Sequence, residues 1–97
     1  MILAGEWLYK DPAQSCRYEF KKDGTFSGEV TQGGETLSRF TGKWAVQGKE
    51  LHYEYTGDVL GRIPPGTRDR DKLLSTAKDH FVIEASDGSQ RTYVRLR

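Results

Sequence analysis

Along "CRYEF", Cys16, Tyr18 and Phe20 fall on one side while Arg17 and Glu19 fall on the other. "TFSGEV" continues the alternation, with Phe26, Gly28 and Val30 on one face and Thr25, Ser27 and Glu29 opposite. A period of two, punctuated by Gly and Asp, predicts strands of an antiparallel sheet. Register sharpens the prediction, because a slip of one residue turns every side chain to the wrong face. In "FKKDGTF" a three-residue loop, Lys22-Asp23-Gly24, pairs Phe20 with Phe26 and sets Arg17 opposite Glu29. In "GKWAVQGKELHYEY" a Gly48-Lys49 turn pairs Val46 with Leu51, Trp44 with Tyr53 and Lys43 with Glu54. In "FVIEASDGSQRTYVRL" an Asp87-Gly88 turn pairs Ile83 with Thr92, Phe81 with Val94 and Glu84 with Arg91.

Two connections read less simply. A Gly33-Gly34 turn alone would set Val30 against Leu37 and misplace Phe40, so a three-residue loop or a bulge is expected there. "DKLLSTAKDH" suits a short helix through Leu73, Leu74 and Ala77, yet Ser75 and Thr76 favour a strand. A Lys78-Asp79 turn then places Leu74 opposite Ile83. The result is eight short strands, at 4–9, 15–21, 25–31, 36–46, 50–56, 72–77, 80–86 and 90–96. Joined as sequential hairpins they predict an all-β, up-and-down antiparallel meander, and eight strands suffice to close a small barrel. The expected interior is Trp7, Tyr18, Phe20, Phe26, Phe40, Trp44, Val46, Leu51, Tyr53, Phe81, Ile83, Val94 and Leu96. Residues 57–71, "GDVLGRIPPGTRDRD", are left as a loop far longer than a hairpin needs, and loops of that length often cover a site.

Composition adds limits. The 97 residues make one domain, 1–97, with eleven aromatic rings to thicken a modest core. Basic and acidic side chains number 15 and 14, which argues against general attachment to nucleic acid or an anionic membrane. No apolar run approaches the roughly 20 residues of a helical membrane span. Cys16 is the single cysteine, so neither an intrachain disulfide nor a thiolate metal cluster is expected. The chain reads as cytoplasmic if complete, and as an envelope or secreted protein if a signal segment was removed.

Candidate chemistry is sparse. His52, His80 and Cys16 do not assemble a metal set, which needs three or four convergent ligands, so no metal and no cofactor are expected. "RDRD" interleaves Asp69 and Asp71 with Arg68 and Arg70, but the loop supplies no nucleophile or oriented partner, so no catalytic residue is assigned. "RTYVRLR" would place Arg91, Tyr93, Arg95 and Arg97 on one outer face; the near-neutral charge balance speaks against nucleic acid there. Inward tyrosines carry more information, because a buried hydroxyl requires a partner. Tyr18, Phe40, Trp44, Tyr53, Tyr55 and Phe81 are the candidate lining of a site, with Arg62, Arg68, Asp69 and Arg70 in the loop near its mouth.

"GEWLY" at 5–9 opens the meander with Gly5-Glu6-Trp7, and Arg95 stands near the end of the last strand. This arrangement resembles the lipocalin and wider calycin pattern, and Gly42-Lys43-Trp44 followed by a glycine turn is similar to small bacterial lipocalin-like domains. The resemblance implies that Trp7 plugs one end of the barrel with a basic residue packed across its ring. Arg95 matches that position, and Arg97 is the other choice. It also implies a non-enzymatic module that binds a small apolar or aromatic ligand, or a protein partner, at the barrel mouth near 57–71. The alternative is a structural module, monomeric in the first reading and homodimeric here, that pairs through sheet edges without a ligand.

Overall fold

A computed structural model describes residues 3–96. Its strands are β1 (Gly5–Lys10), β2 (Ser15–Phe20), β3 (Thr25–Gln32), β4 (Glu35–Gln47), β5 (Glu50–Asp58), β6 (Arg68–Thr76), β7 (His80–Glu84) and β8 (Gln90–Arg95). Each pairs antiparallel with its neighbour in sequence, and β8 returns to β1, so the meander closes into a barrel. No helix among the described residues is long and apolar enough to cross a membrane.

Two hairpins match the register that apolar and charge pairing demand. Phe20 faces Phe26 and Arg17 faces Glu29 across β2 and β3. Val46 faces Leu51, Trp44 faces Tyr53 and Lys43 faces Glu54 across β4 and β5. Between β3 and β4 a two-residue Gly33-Gly34 turn sets Gln32 against Glu35, and a bulge at Val30/Thr31 then brings Val30 opposite Ser38. That bulge restores Phe40 to the interior, where it is 2% exposed.

The last hairpin departs from expectation. Its loop has three residues, Ser86-Asp87-Gly88, closed by Ala85 N donating to Ser89 O at 2.8 Å. The extra residue shifts β8 by one: Phe81 faces Tyr93, Ile83 faces Arg91 and Glu84 faces Gln90. Tyr93 is therefore buried at 3% exposure, while Val94 and Leu96, expected inside, are 52% and 42% exposed. Arg91, Tyr93 and Arg95 accordingly do not form an outer basic face, and Arg97 lies outside the described residues.

β6 brings the other corrections. It begins at Arg68, so Arg68, Asp69 and Arg70 belong to a strand and the connecting loop is only 59–67. Pairing with β5 extends it: Glu54 faces Arg68 and His52 faces Arg70 on the outer side, a run of opposite charges and hydrogen-bonding partners. The Lys78-Asp79 turn forms as expected, but a bulge after Leu73 sets Leu73, not Leu74, against Ile83. Leu74 is left 41% exposed.

The interior is a packed stack of rings. Trp7, Phe20, Phe26, Phe40, Trp44, Leu51, Tyr53, Tyr55, Phe81, Ile83 and Tyr93 form one buried cluster together with Leu3. Both Gly-X-Trp stretches serve it. A Cβ on Gly42 would strike the Glu54 carbonyl and the Phe26 ring, so only glycine lets β4 approach β5 there while Trp44 turns inward. Trp7 is fully buried, its Nε1 donating to the Leu3 carbonyl at 2.9 Å. The Arg95 guanidinium lies over the Trp7 ring at 4.2 Å from the centroid.

Candidate functional site

In an up-and-down barrel, alternate connections gather at the same end. The chain start, the 22–24 loop, the 48–49 turn and the 77–79 turn share the end that Trp7 and Arg95 close. The opposite end, here the mouth, carries the 11–14, 33–34, 59–67 and 86–88 connections.

Four of the six candidate lining residues come together toward the mouth. Tyr18 lies 5.6 Å from Phe40 and 6.2 Å from Tyr53 between ring centroids. Phe40 and Tyr55 meet edge to face at 5.3 Å, and Tyr53 and Tyr55 lie 6.3 Å apart. The other two sit nearer the closed end. Phe81 packs on Trp7 at 4.6 Å, and Trp44 packs on Phe20 at 5.1 Å while its Nε1 donates to the Lys21 carbonyl. The six rings therefore fill the interior in two groups.

Polar groups satisfy the tyrosines. The Tyr53 hydroxyl donates to Asp71 Oδ2 at 2.8 Å, and Asp71 enters the barrel from β6 beside Leu51. Burial pushes the Tyr53 hydroxyl well above its ordinary range. Burial likewise takes Tyr55 up to about 12, while its hydrogen bond with Tyr18 works the other way. The same burial holds the Asp71 carboxyl above the usual carboxylate range, although the Tyr53 hydroxyl draws it down. Arg91 caps this end over the Tyr9 ring at 5.4 Å. Among the described residues every buried side-chain nitrogen or oxygen has a hydrogen-bond partner. Cys16 is buried on the same inner surface, and burial raises its thiol, which disfavours the nucleophilic thiolate.

The loop residues divide. Arg62 lies in the 59–67 loop, its backbone N–H donating to Asp58. Arg68 and Arg70 point outward from β6 toward Glu54 and Glu50 at 3.8 and 3.9 Å. Asp69 faces the same side as Tyr53 but remains exposed at the rim. Arg68, Asp69 and Arg70 thus stand on a strand rather than in a loop, Arg68 and Arg70 on its outer face.

Asp58, which sequence reasoning left unassigned, organises the loop. Its carboxylate accepts from Ser38 Oγ at 2.6 Å and from the backbone N–H groups of Arg39, Leu60, Arg62 and Ile63. The Ser38 hydroxyl and these N–H groups hold its carboxyl down to about 2. Ile63 tucks against the core. Between the two anchors stand Val59 and Leu60, 78% and 48% exposed. "GDVLG" displayed an apolar pair between two glycines of a loop, and that was the available signal.

Beside Val59 a groove of about 670 Å³ runs along the outside of the barrel over β1 to β5. Its base is low because Ser27 on β3 and Thr41 on β4 are short and stand side by side, with Gly57 next in line. On the inner side of the same wall Gly28 makes room for the buried Phe40 ring, which a Cβ there would strike. Charged side chains rise around this base. Arg39 donates to Glu29 from Nε and Nη2 at 3.2 and 3.1 Å, and Arg17 meets Glu6 at 3.4 Å. The arrangement offers a surface for recognition; among the described residues no group of three or more His, Cys, Asp or Glu is placed to hold a metal ion. Comparison with protein-family models and with curated proteins gives no match to this chain.

Proposed function

We propose that the domain is a non-enzymatic, lipocalin-like binding module that engages a protein partner at the barrel mouth through Val59, Leu60 and the adjoining outer groove. The observation that carries this reading is the rigid display of two apolar side chains in water. A single exposed apolar residue needs no explanation, but an adjacent pair on a loop fixed by one carboxylate and a half-buried isoleucine is preorganised for contact. Little chain entropy remains to be lost when such a loop docks.

Packing favours a partner over an enclosed small ligand. Tyr18 alone meets the rings of Phe20, Phe26, Phe40, Tyr53 and Tyr93. A guest at that position would have to displace aromatic contacts worth roughly 0.5–1.5 kcal/mol each. Barrel closure also pairs each strand on both sides, which works against dimerisation through sheet edges.

The test is an amide-shift titration of labelled protein with two probes, an acetylated Leu-Leu amide peptide and anilinonaphthalene sulfonate. The peptide is expected to move the amides of Arg39, Thr41, Val59 and Leu60, and a Val59→Ser/Leu60→Ser variant to lose that response about tenfold. Movement of Tyr18, Phe40, Tyr53 and Tyr55 by the sulfonate, with the loop unaffected, would replace this reading by that of an interior ligand.

A further inference from the structure

We infer that the outer groove selects a basic polypeptide segment, one that sets an apolar side chain on Val59 and a lysine or arginine four residues away on Glu19. The inference rests on the proposed mouth-binding role and adds the chemistry of the partner.

Register defines two rows of outward side chains across the groove. One is Arg17 on β2, Glu29 on β3 and Arg39 on β4, which neutralise one another along the ladder or through Glu6. The other is Glu6 on β1, Glu19 on β2, Ser27 on β3 and Thr41 on β4. In that second row two carboxylates stand directly opposite each other, a placement that is unfavourable in an antiparallel pair. Arg17 turns to Glu6, whose side chain is only 14% exposed. Glu19, half-buried, takes no ion pair among the described residues.

Charge therefore accumulates locally in a chain that is almost neutral. Among the described residues Glu6, Glu19, Glu29 and Asp58 line the groove against Arg17 and Arg39, four acidic side chains to two basic ones. Asp58 is already committed to five donors, three in the adjoining loop and two on β4. Glu19 is the carboxylate left to receive a cation from outside, and a cation there also relieves its repulsion with Glu6.

Geometry fixes the spacing. Val59 continues the line of β5, its N–H bonded to the Arg39 carbonyl at 2.8 Å. Val59 thus shares the row of Arg39, Glu29 and Arg17, so Glu19 lies three strand separations across, roughly 4.8 Å each, and two residues along, about 16 Å away in all. An extended peptide advances roughly 3.3 Å per residue, so four steps cover about 13 Å. A leucine and a lysine at i and i+4 reach both ends at once, the long flexible lysine stem covering the remaining distance.

The experiment titrates labelled protein with acetylated Leu-Thr-Ser-Thr-Lys amide, with the same peptide ending in norleucine, and with the same peptide ending in glutamate. The lysine peptide is expected to bind about threefold tighter than the norleucine peptide at low salt, the size typical of one half-exposed ion pair. That preference should vanish in Glu19→Gln, whose amide spectrum reports that the fold is kept, and shrink at high ionic strength. Val59→Ser should weaken the lysine and norleucine peptides equally. Equal binding of those two peptides by the native protein, or tighter binding of the glutamate peptide, overturns the inference while leaving the mouth as a partner site. Groove shifts produced by propylammonium alone at the same concentration, or by raising the protein concentration without peptide, assign the groove to a small cation or a second copy and overturn it too. Failure of all three peptides to bind removes the mouth-binding reading itself.

Discussion

Trp7 and Tyr53 both sit inside the barrel, yet the two ends they represent are built from different chemistry. At the closed end Trp7 is sealed by Leu3, Phe81 and the Arg95 guanidinium, and Arg95 in turn donates to the carbonyls of Ala4 and Lys78 at 2.9 and 2.6 Å. The polar contacts there are made by an indole N–H and an arginine, neither of which changes charge in the range where proteins stay folded. At the mouth the corresponding contacts are tyrosine hydroxyls on a carboxylate, with Arg91 over Tyr9. The Trp7–Arg95 contact supplies stability that does not depend on pH. The mouth keeps polar, titratable groups under the loop that presents Val59 and Leu60.

The largest expected effect breaks the closed end. Trp7→Ala removes a fully buried indole, and aromatic truncations of this kind cost about 3–5 kcal/mol. A domain of this size has roughly 5–15 kcal/mol in total, so the variant should be barely folded at 37 °C. Urea unfolding followed by the remaining Trp44 fluorescence measures the loss. A cost below about 1 kcal/mol would mean that Trp7 is not the plug of that end.

Arg95→Ala is the milder version. It keeps the indole but removes the stacked cation and two hydrogen bonds to carbonyls, for a loss of about 1–2 kcal/mol. The loss should be the same at pH 5 and pH 8, because guanidinium remains protonated throughout. A pH-dependent loss would show that the closed end shares the electrostatics of the mouth after all.

Legibility in the sequence follows the same division. The loops 22–24 and 86–88 are one structure used twice. Asp23 accepts from the N–H and hydroxyl of Thr25, Asp87 from those of Ser89, and Gly24 and Gly88 both sit near a φ of +90°. Sequence reasoning reached three residues for the first loop and two for the second. The difference lies in the strands that follow. After Gly24 only Phe26 can face Phe20, whereas after Gly88 both Tyr93 and Val94 offer an apolar partner to Phe81, and alternation cannot choose between them. The hydroxyl residue after Asp-Gly was the shared signal. Strand identity, the closing meander and the interior aromatics were legible because one phase of each strand was clearly polar. The first part of β6, 68–71, was not, because its inner face carries Asp69 and Asp71, and a strand with carboxylates inside reads as a loop. The groove was invisible for another reason: Glu6, Glu19, Ser27 and Thr41 become neighbours only once three registers are fixed together.

Asp71 gives the finest test of the contrast. Burial raises its carboxyl above the ordinary value, with Asp69 adding to the rise and the Tyr53 hydroxyl and Arg91 opposing it. A native carboxyl raised above its unfolded value binds more protons than the unfolded chain does across that interval, so stability falls as pH climbs through it. Above the interval the ionised group is a constant cost, and below about pH 4 the cost is gone. Asp71→Asn keeps an oxygen that can accept from Tyr53 and removes the charge. The variant should therefore be slightly more stable than the native protein at pH 7 and indistinguishable or weaker at pH 3.5, as read from urea midpoints at both. Trp7→Ala and Arg95→Ala should show no such crossing. If Asp71→Asn is instead destabilised at pH 7, then attraction of the carboxylate to Arg91 and Tyr53 outweighs its burial, and the mouth would be held together by charge much as the closed end is held by its ring and guanidinium.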